Sequence, residues 1–429
     1  MARKMKDSGI EWIGEIPEGW SKNKVIRLFD IIGSGTTPKN ITSDFPVVNW
    51  IQSGDITGSF MPTCKNVISA NLLSQYSALK VYPAPFIIIA MYGASVGNAS
   101  ISLIDGCVNQ ACCVLSSPSC NLHYAFYVIK SAQSYLVRKA VGGGQPNISQ
   151  ETIKQLWLPL PPLSTQDIIV RNLDATCSKI DDLLISVRSS IEEYKKLKQA
   201  VITRAVTKGV RGEREMKDSG NPWFGQIPTD WKLSRVGLHF SIILGKMLCN
   251  APLNDTYTLE PYYCAADVHF DGVADGERKK MWFSPIEKDL YRVSVGDLLV
   301  VEGGAGAGGS AIVEKQDSET YVQNSIMIVR SKGNADSRYL RYLLEFLVKQ
   351  GYIDIVCNKA TIPHFTKDKL SCVPFCLCPT GEQEEIADYL DAKCAEIDKL
   401  IAKKEQLVKE MEGYKKSLIY EVVTGKREV

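Results

Sequence analysis

Residues 5–25 read MKDSGIEWIGEIPEGWSKNKV, and residues 216–236 read MKDSGNPWFGQIPTDWKLSRV. At a constant offset of 211, 11 of these 21 positions are identical, including Trp12/Trp223, Gly14/Gly225, Pro17/Pro228 and Trp20/Trp231. Two tryptophans, a glycine and a proline do not recur in register by chance. The chain is a tandem of two similar halves, and a duplicated binder suits a partner that is long, repetitive or itself two-fold symmetric.

A second echo follows in each half. From Pro146 to Gly209 an offset of 217 pairs Pro146 with Pro363, Ser149 with Thr366, Pro162 with Pro379, Gln166 with Gln383, Leu173-Asp174-Ala175 with Leu390-Asp391-Ala392, and Ile180-Asp181 with Ile397-Asp398. Six residues (217 − 211) are therefore gained inside the stretch where the halves differ, roughly 26–145 against 237–362. The order is shared motif, variable block, shared helix, repeated once.

The shared helix has a seam. Leu173, Cys177, Ile180, Leu184, Val187, Ile191, Tyr194 and Val201 alternate steps of four and three, with Lys198 as the interruption. The second copy gives Leu390, Cys394, Ile397, Ile401, Val408, Met411, Leu418 and Val422, with Lys404 and Lys415 in seam positions. This is a coiled-coil pattern. Each helix should run about 40 residues, about 60 Å. Two helices with the same seam most simply pack antiparallel on each other, with the N-terminal motif beside the end of the second helix; the alternative is that each binds a separate partner protein. The seam lysines are expected to be solvated.

The expected fold class is α+β: two β-rich globular domains separated by two long antiparallel coiled-coil helices, with a pseudo-two-fold internal repeat. The expected segments are an N-terminal repeat motif over 1–20, a first variable domain over 21–160, a central helix over 161–210, a second repeat motif over 211–231, a second variable domain over 232–377 and a C-terminal helix over 378–429. In the first block Phe45–Gln52, Phe86–Met91, Ala99–Leu103 and Ala111–Leu115 read as strands. Tyr262–Ala266, Asp297–Val301, Ala311–Val313 and Ser325–Val329 do so in the second. Helices are expected over Leu122–Arg138 and Ser337–Gln350.

Composition narrows the class. Apolar content of 45% and charged content of 23% suit a chain that buries real cores. No apolar run approaches the roughly 18 residues that span a bilayer, and the N-terminus lacks a hydrophobic signal core. No membrane association and a cytoplasmic location are expected. Thirteen irregularly spaced cysteines suit reduced thiols. The even spacing of Cys372, Cys376 and Cys378 would place all three on one strand face, and with no histidine nearby burial is the preferred reading over a metal site. The net charge of +2 is no polyanion footprint. By block, residues 21–160 hold ten Lys/Arg against five Asp/Glu, and 232–375 hold 17 against 17.

A search for chemistry finds little. Gly304-Ala305-Gly306-Ala307-Gly308-Gly309 matches G-x-G-x-x-G, but Ser310-Ala311-Ile312-Val313 after it reads as a strand where a dinucleotide site needs a helix. Like Tyr92–Asn98 in the first half, it is expected to join two strands as a hairpin. A nuclease pattern can be drawn from Asp271, Glu277 and Lys279, without a counterpart in the first half. His123, His239, His269 and His364 show neither ligand nor triad spacing and read as surface or loop residues. No P-loop occurs. No catalytic residue, metal site or cofactor is assigned to the chain.

Polar loops are candidates for contact instead. Asn109-Gln110 and Gln323-Asn324 occupy similar places in the two blocks, and amides can read adenine in the major groove. Ser34, Thr36, Thr37 and Lys39 in one loop, Gln145 and Asn147 in another, and Lys246, Arg278, Lys279, Lys359 and His364 in the second half supply groups for phosphate or base contact. Buried amides that merely satisfy turn backbone are the competing reading.

These residues resemble the specificity subunit of Type I restriction-modification enzymes over essentially the whole chain. The resemblance is carried by W-x-G-x-I-P-x-x-W at Trp12–Trp20 and Trp223–Trp231, Ser34-Gly35-Thr36-Thr37-Pro38, Leu158–Gln166 leading into the helix, and Ala205–Gly209 echoed by Val422–Lys426. The second half departs from it, with Leu244-Gly245-Lys246-Met247 near the place of the Ser-Gly-Thr-Thr-Pro loop. The resemblance implies that each variable block is a target recognition domain reading one half of a split double-stranded DNA sequence, on opposite strands and roughly one 34 Å turn apart. It implies that the helices act as a ruler, one added turn giving about 5.4 Å. It implies two methylation subunits docked on the helices and carrying S-adenosylmethionine, with motor/endonuclease subunits joining them, and a specificity subunit that is itself not an enzyme. A fused nuclease or methyltransferase, or a coiled-coil scaffold with protein-binding ends, are the readings that compete.

Overall fold

The computed structural model describes residues 3–141, 146–315, 318–357 and 363–429. They form two compact units, one of residues Met1–Arg188 with Gln406–Val429 and one of Ser189–Glu405. Two long helices, Leu163–Lys208 and Thr380–Val423, contribute to both. Their 46 and 44 residues exceed the seam-based length slightly because each extends beyond its seam at both ends.

In the first unit Phe86–Ala90 is apolar at every position and buried at every position, as a strand covered on both faces must be. Alternate side chains serve different cores: Ile87 and Ile89 face Tyr124 and the helix Leu122–Ser131, while Ile88 and Ala90 join Ile51, Tyr82 and Val108. This strand lies within a five-stranded sheet ordered Ile31–Gly33, Cys112–Ser116, Phe86–Ala90, Ala99–Ser102, Phe60–Met61. A three-stranded sheet of Cys107–Val108, Val47–Ile51 and Asn66–Ser69 accompanies it. The second unit repeats the plan. Its four-stranded sheet runs Phe240–Leu244, Ile326–Ser331, Leu298–Val301, Ser310–Ile312, and its three-stranded sheet runs Lys279–Phe283, Thr258–Tyr263, Tyr321–Val322.

Strand registers align blocks whose sequences do not. Ile88 pairs with Ser100 and Leu299 with Ala311, an offset of 211. Val108 lies beside Ile51 in parallel, and Val322 beside Tyr263, so the offset has reached 214 at Val108/Val322. It is 217 where Tyr92 bridges Asn147 and Gly303 bridges His364. The six extra residues thus enter as three before Val322 and three after it.

The helical register is equally shared. The amides of Tyr124 and Tyr339 bond to the N-cap side chains of Asn121 and Asp336. The same tyrosines donate their hydroxyls to Pro159 O at 2.9 Å and Cys376 O at 2.8 Å. Tyr127 and Tyr342 donate to Asp174 and Asp391 on the long helices at 2.6 and 2.7 Å. Gln166 and Gln383 are buried and donate to Pro161 O and Cys378 O at 2.9 and 2.8 Å, which explains why both helices begin with this glutamine. The helix expected over Leu122–Arg138 breaks at Ala132 into Leu122–Ser131 and Gln133–Arg138.

The head motif closes each core. Gly14 and Gly225 take φ of +73° and +59°, a conformation that favours glycine. In the first unit Trp12, Ile13, Ile16 and Trp20 pack with Leu418, Ile419, Val422 and Val423, and Tyr420 donates its hydroxyl to Ile13 O at 3.0 Å. In the second, Phe224, Ile227 and Trp231 pack with Ile202, Ala205 and Val206. Fully burying a tryptophan such as Trp231 ties motif to helix by an amount on the order of 3–5 kcal/mol against alanine.

Within each unit the long helices run antiparallel. Asp181 meets Lys415 at 2.5 Å and Arg188 meets Glu412 at 2.5 Å in the first. In the second, Lys198 meets Asp398 at 2.7 Å and Lys404 lies 5.6 Å over the Tyr194 ring. The seam lysines are therefore not solvated. Lys198 and Lys415 keep only 13% and 17% side-chain exposure, because an aspartate shared by both copies, Asp181 and Asp398, stands across the seam from each. Tyr194 and Lys404 make a cation–π contact at positions whose counterparts, Met411 and Val187, are apolar.

Candidate nucleic-acid interface

In the first unit three loops are tied together at one edge of the sheets. The loop after Ile31–Gly33 lies against the Asn109–Ala111 connection: Ser34 Oγ donates to Cys112 O at 2.7 Å, and Thr37 Oγ1 donates to Gln110 Oε1 at 2.7 Å. A Cβ on Gly35 would stand 1.7 Å from Val108 O, so only glycine permits this approach. The turn between Phe86–Ala90 and Ala99–Ser102 joins in through Met91 N to Ala111 O at 2.8 Å, and Gly93 N to Pro146 O at 3.0 Å beside Asn147. Thr37, Lys39 and Gln110 are exposed, whereas Ser34, Thr36, Asn109 and Asn147 are half-buried. Asn109 Oδ1 accepts the amide of Ala111 at 3.1 Å, and Lys39 donates its backbone N–H to the Tyr76 hydroxyl at 3.2 Å. Among the described residues the side-chain amide nitrogen of Gln110 and the ammonium of Lys39 make no hydrogen bond.

The second unit builds the same edge from different side chains. Gly245 occupies the place of Gly35, and a Cβ there would stand 2.3 Å from Gln323 O. Lys246 N donates to Val322 O at 3.0 Å, and Asn324 N donates to Lys246 O at 2.8 Å. Gly304 N donates to Pro363 O at 3.2 Å, as Gly93 does to Pro146, and His364 Nδ1 lies 3.5 Å from Glu302 Oε2. Gln323 Oε1 accepts from Ser325 Oγ at 2.9 Å, and Gln323 and Asn324 are half-buried. Gly93 and Gly304 have φ of +73° and +86°, and both turns join antiparallel strands, so the G-x-G-x-x-G stretch is a hairpin connection.

Two cations of the second unit are engaged inside it. Lys246 is 8% exposed, paired with Glu287, and its ammonium lies 5.0 and 5.3 Å from the Tyr257 and Phe283 rings. Arg278 pairs with Asp267 at 3.1 Å and stacks 4.7 Å over Tyr263. Lys279 is exposed on its strand. Gln145 and Lys359 lie outside the described residues. Sequence reasoning missed Glu287, although Ser284-Pro285-Ile286-Glu287 is a capping box, with Ser284 N donating to Glu287 Oε2 at 2.8 Å.

The other chemistry-bearing residues sit apart from this edge. A cleft of about 810 Å³ in the second unit is lined by Glu260, Asp271, Asp275, Glu277, Glu314 and Glu319 against Arg278, Lys280 and Lys315, an environment that repels a polyanion. Among the described residues no group of three His, Cys, Asp or Glu could hold a metal ion. Cys372, Cys376 and Cys378 do not share a strand face: the strand is Pro374–Leu377, Cys372 is exposed at the end of a helix, and Cys376 and Cys378 are buried. Burial pushes the Cys376 thiol up to about 12. His239 is buried and shares a 2.7 Å hydrogen bond with Ser234 Oγ, rather than lying on the surface. All thirteen cysteines are free thiols. Among the described residues no helix is long and apolar enough to cross a membrane.

Residues 17–192 and 229–410 each match the profile of the "Type I restriction modification DNA specificity domain". The chain belongs to this family. Among curated relatives it is 26% identical over 450 residues to the "Putative type I restriction enzyme MjaX specificity subunit" of Methanocaldococcus jannaschii, covering 96% of this chain and 95% of that one. It is 22% identical to the "Type I restriction enzyme StySPI specificity subunit" of Salmonella potsdam, covering 90% and 84%. Its fold is similar to a structure described as "Structural basis underlying complex assembly and conformational transition of the type I R-M system" (TM-score 0.73, 17% identity, 95% and 98% covered). It is also similar to the HsdS subunit of Thermoanaerobacter tengcongensis (TM-score 0.51, 18% identity, 95% and 96% covered). Membership of the specificity family agrees with the duplicated motif and bears out the α+β class.

Proposed function

We propose that this chain reads a bipartite double-stranded DNA sequence for a Type I restriction-modification complex, each unit reading one half. The observation that carries this is the loop edge built twice on one register, around Gly35 and Gly245, with different side chains displayed. Thr36, Thr37, Lys39, Gln110 and Asn147 serve one half-target. Lys279, Gln323, Asn324 and His364 serve the other, and the engaged Lys246 shapes that surface from beneath. The long helices fix the spacer between the half-targets and dock two methylation subunits, which hold S-adenosylmethionine and perform the chemistry; motor/endonuclease subunits join that core. The chain itself is non-catalytic and acts in the cytoplasm.

The test is mapping of methylated adenines across the genome of a cell that carries the methylation subunit, with and without this chain. A split motif, two short defined halves around a fixed gap, should disappear when the chain is deleted. An unchanged methylation pattern would overturn the reading.

A further inference from the structure

In the first unit Asn147 is paired on both sides. Its amide donates to Val141 O at 3.0 Å and its carbonyl accepts from Val141 N at 2.9 Å. On its other side it stands opposite Tyr92, bracketed by Gly93 N to Pro146 O at 3.0 Å and Ile148 N to Met91 O at 2.9 Å. This second pairing is the narrow kind, in which facing side chains stand closest, and directly paired residues project to one face. The chain neighbours Met91 and Ile148 are buried in the core, so alternation sends Tyr92, Asn147 and Val141 outward. Tyr92 is 41% exposed and Val141 72%, while Asn147 is half-buried. Among the described residues neither the Tyr92 hydroxyl nor the Asn147 side-chain amide makes a hydrogen bond. The second unit keeps this backbone and changes its side chains. Gly303 stands opposite His364, between Gly304 N to Pro363 O at 3.2 Å and Phe365 N to Glu302 O at 2.6 Å, which is the same narrow pairing. A Cβ on Gly303 would come 3.4 Å from His364 Nδ1, so the histidine ring stands over the place from which a side chain at 303 would project. The two halves thus differ by a whole aromatic side chain at one backbone position of the loop edge.

We propose that Tyr92 determines specificity in the first unit and that it reads one A·T pair together with Asn147: the Asn147 amide bonds the adenine edge, and the Tyr92 ring packs on the thymine C5-methyl. This rests on the reading of the loop edge as the DNA-contacting surface. An asparagine side chain offers one acceptor and a donor side by side, which match the N6 amino group and N7 of adenine in the major groove. Thymine alone among the four bases presents a methyl group there, and apolar contact is what recognises it. Pairing across the narrow bridge sets the ring beside the amide, so the two groups can meet the two halves of one base pair. Val141, on the same face, continues the apolar side of the row. The Gly303–His364 pair has neither the amide nor a side chain at 303, so this mode of reading belongs to one half-target only.

The experiment uses the full chain assembled with its methylation subunit and a duplex carrying the mapped methylation motif. Each thymine of the two half-targets is replaced in turn by deoxyuridine, which removes the methyl and leaves every hydrogen bond. One replacement, in one half-target, should weaken binding about fourfold, the contribution of a single buried methyl. In Tyr92→Ala the natural duplex should bind at least that much more weakly, and the same replacement should have no further effect. Tyr92→Phe, which keeps the ring, should keep the response. Asn147→Ala should relax the methylation motif at that same base pair. Affinity for a duplex without the motif should be unchanged in all three variants, because phosphate contacts are untouched. The proposal is overturned if no replacement weakens binding, if the effect persists in Tyr92→Ala, or if that variant loses affinity equally for both duplexes. Failure of the DNA reading itself would show differently, as a methylation pattern indifferent to deletion of the chain, and would remove the inference with it.

Discussion

Glu382→Ala gives the sharpest test of how the second unit is held together. Glu382 is fully buried, and its removal leaves the Trp231 Nε1 donor without an acceptor and takes the carboxylate from Arg214, whose side chain is only 18% exposed. Breaking a buried pair by deleting one partner costs about 3–5 kcal/mol. Arg214 retains Asp230 at 3.5 Å, and Arg211, 3.8 Å from Glu382, keeps Glu385 at 2.7 Å, so the lower end of about 3 kcal/mol applies. In a unit of residues 189–405 each kcal/mol moves Tm by about 2–4 °C, giving a drop of roughly 6–12 °C in that unit's calorimetric transition. Glu382→Gln keeps an acceptor for Trp231 and should cost about 1–2 kcal/mol. Glu384→Ala, two residues on and exposed, is the control. The reasoning is refuted if Glu382→Ala lies within about 1 °C of that control, or if Gln is as damaging as Ala.

Three further outcomes follow from the same geometry. Asp181→Lys should lower stability by more than about 1 kcal/mol by opposing Lys415, and the exchange Asp181→Lys with Lys415→Asp should restore most of it in a double-mutant cycle measured by urea unfolding. Partial burial pushes the Glu287 carboxyl up, but hydrogen bonds from Lys246 and Ser284 outweigh it and hold it below its ordinary 4.5. A lowered carboxyl value contributes stability above 4.5 that is lost as pH falls through the folded value, so Lys246→Met should be less stable than the parent at pH 7 and converge on it as pH falls through that lowered value. Gln110→Ala should relax only one half of the methylated motif and Asn324→Ala only the other; a change in both halves from either substitution would contradict separate reading.

Much of this was legible in the sequence because the repeat fixes equivalence without reference to folding. Pairing Gln166 with Gln383 and Asp181 with Asp398 at one offset marked positions that prove to be a buried backbone-capping glutamine and a seam aspartate. What the repeat did not disclose was where the seam lysines point. A lysine in a coiled-coil seam reads as an interruption until the facing aspartate is known, and that facing depends on antiparallel register, which one helix read alone does not carry. The sharing of Gly35 with Gly245 was hidden for a different reason. Strand registers put these two at an offset of 210, one residue from the motif before them, so flanking side chains that differ mask a glycine required only by its closeness to Val108 O and Gln323 O.

That hidden glycine bears on how two halves of one chain can read different targets. Beside the side-chain ties of Ser34, Thr37 and Asn109, both halves share backbone contacts at this edge that involve no variable side chain: Gly35 against Val108 O and Gly245 against Gln323 O, and the glycine turns bonded to Pro146 O and Pro363 O. With the loops held by backbone, the residues between them can change without loss of the scaffold. Thr36 in one half corresponds to Lys246 in the other, and the lysine is turned inward to Glu287 rather than outward. A single substitution at such a position therefore alters both which groups face outward and what supports them. The two units diverge in charge pattern as well as in side-chain identity, the second carrying a cleft lined by Glu260, Asp271, Asp275, Glu277, Glu314 and Glu319, an environment that repels a polyanion.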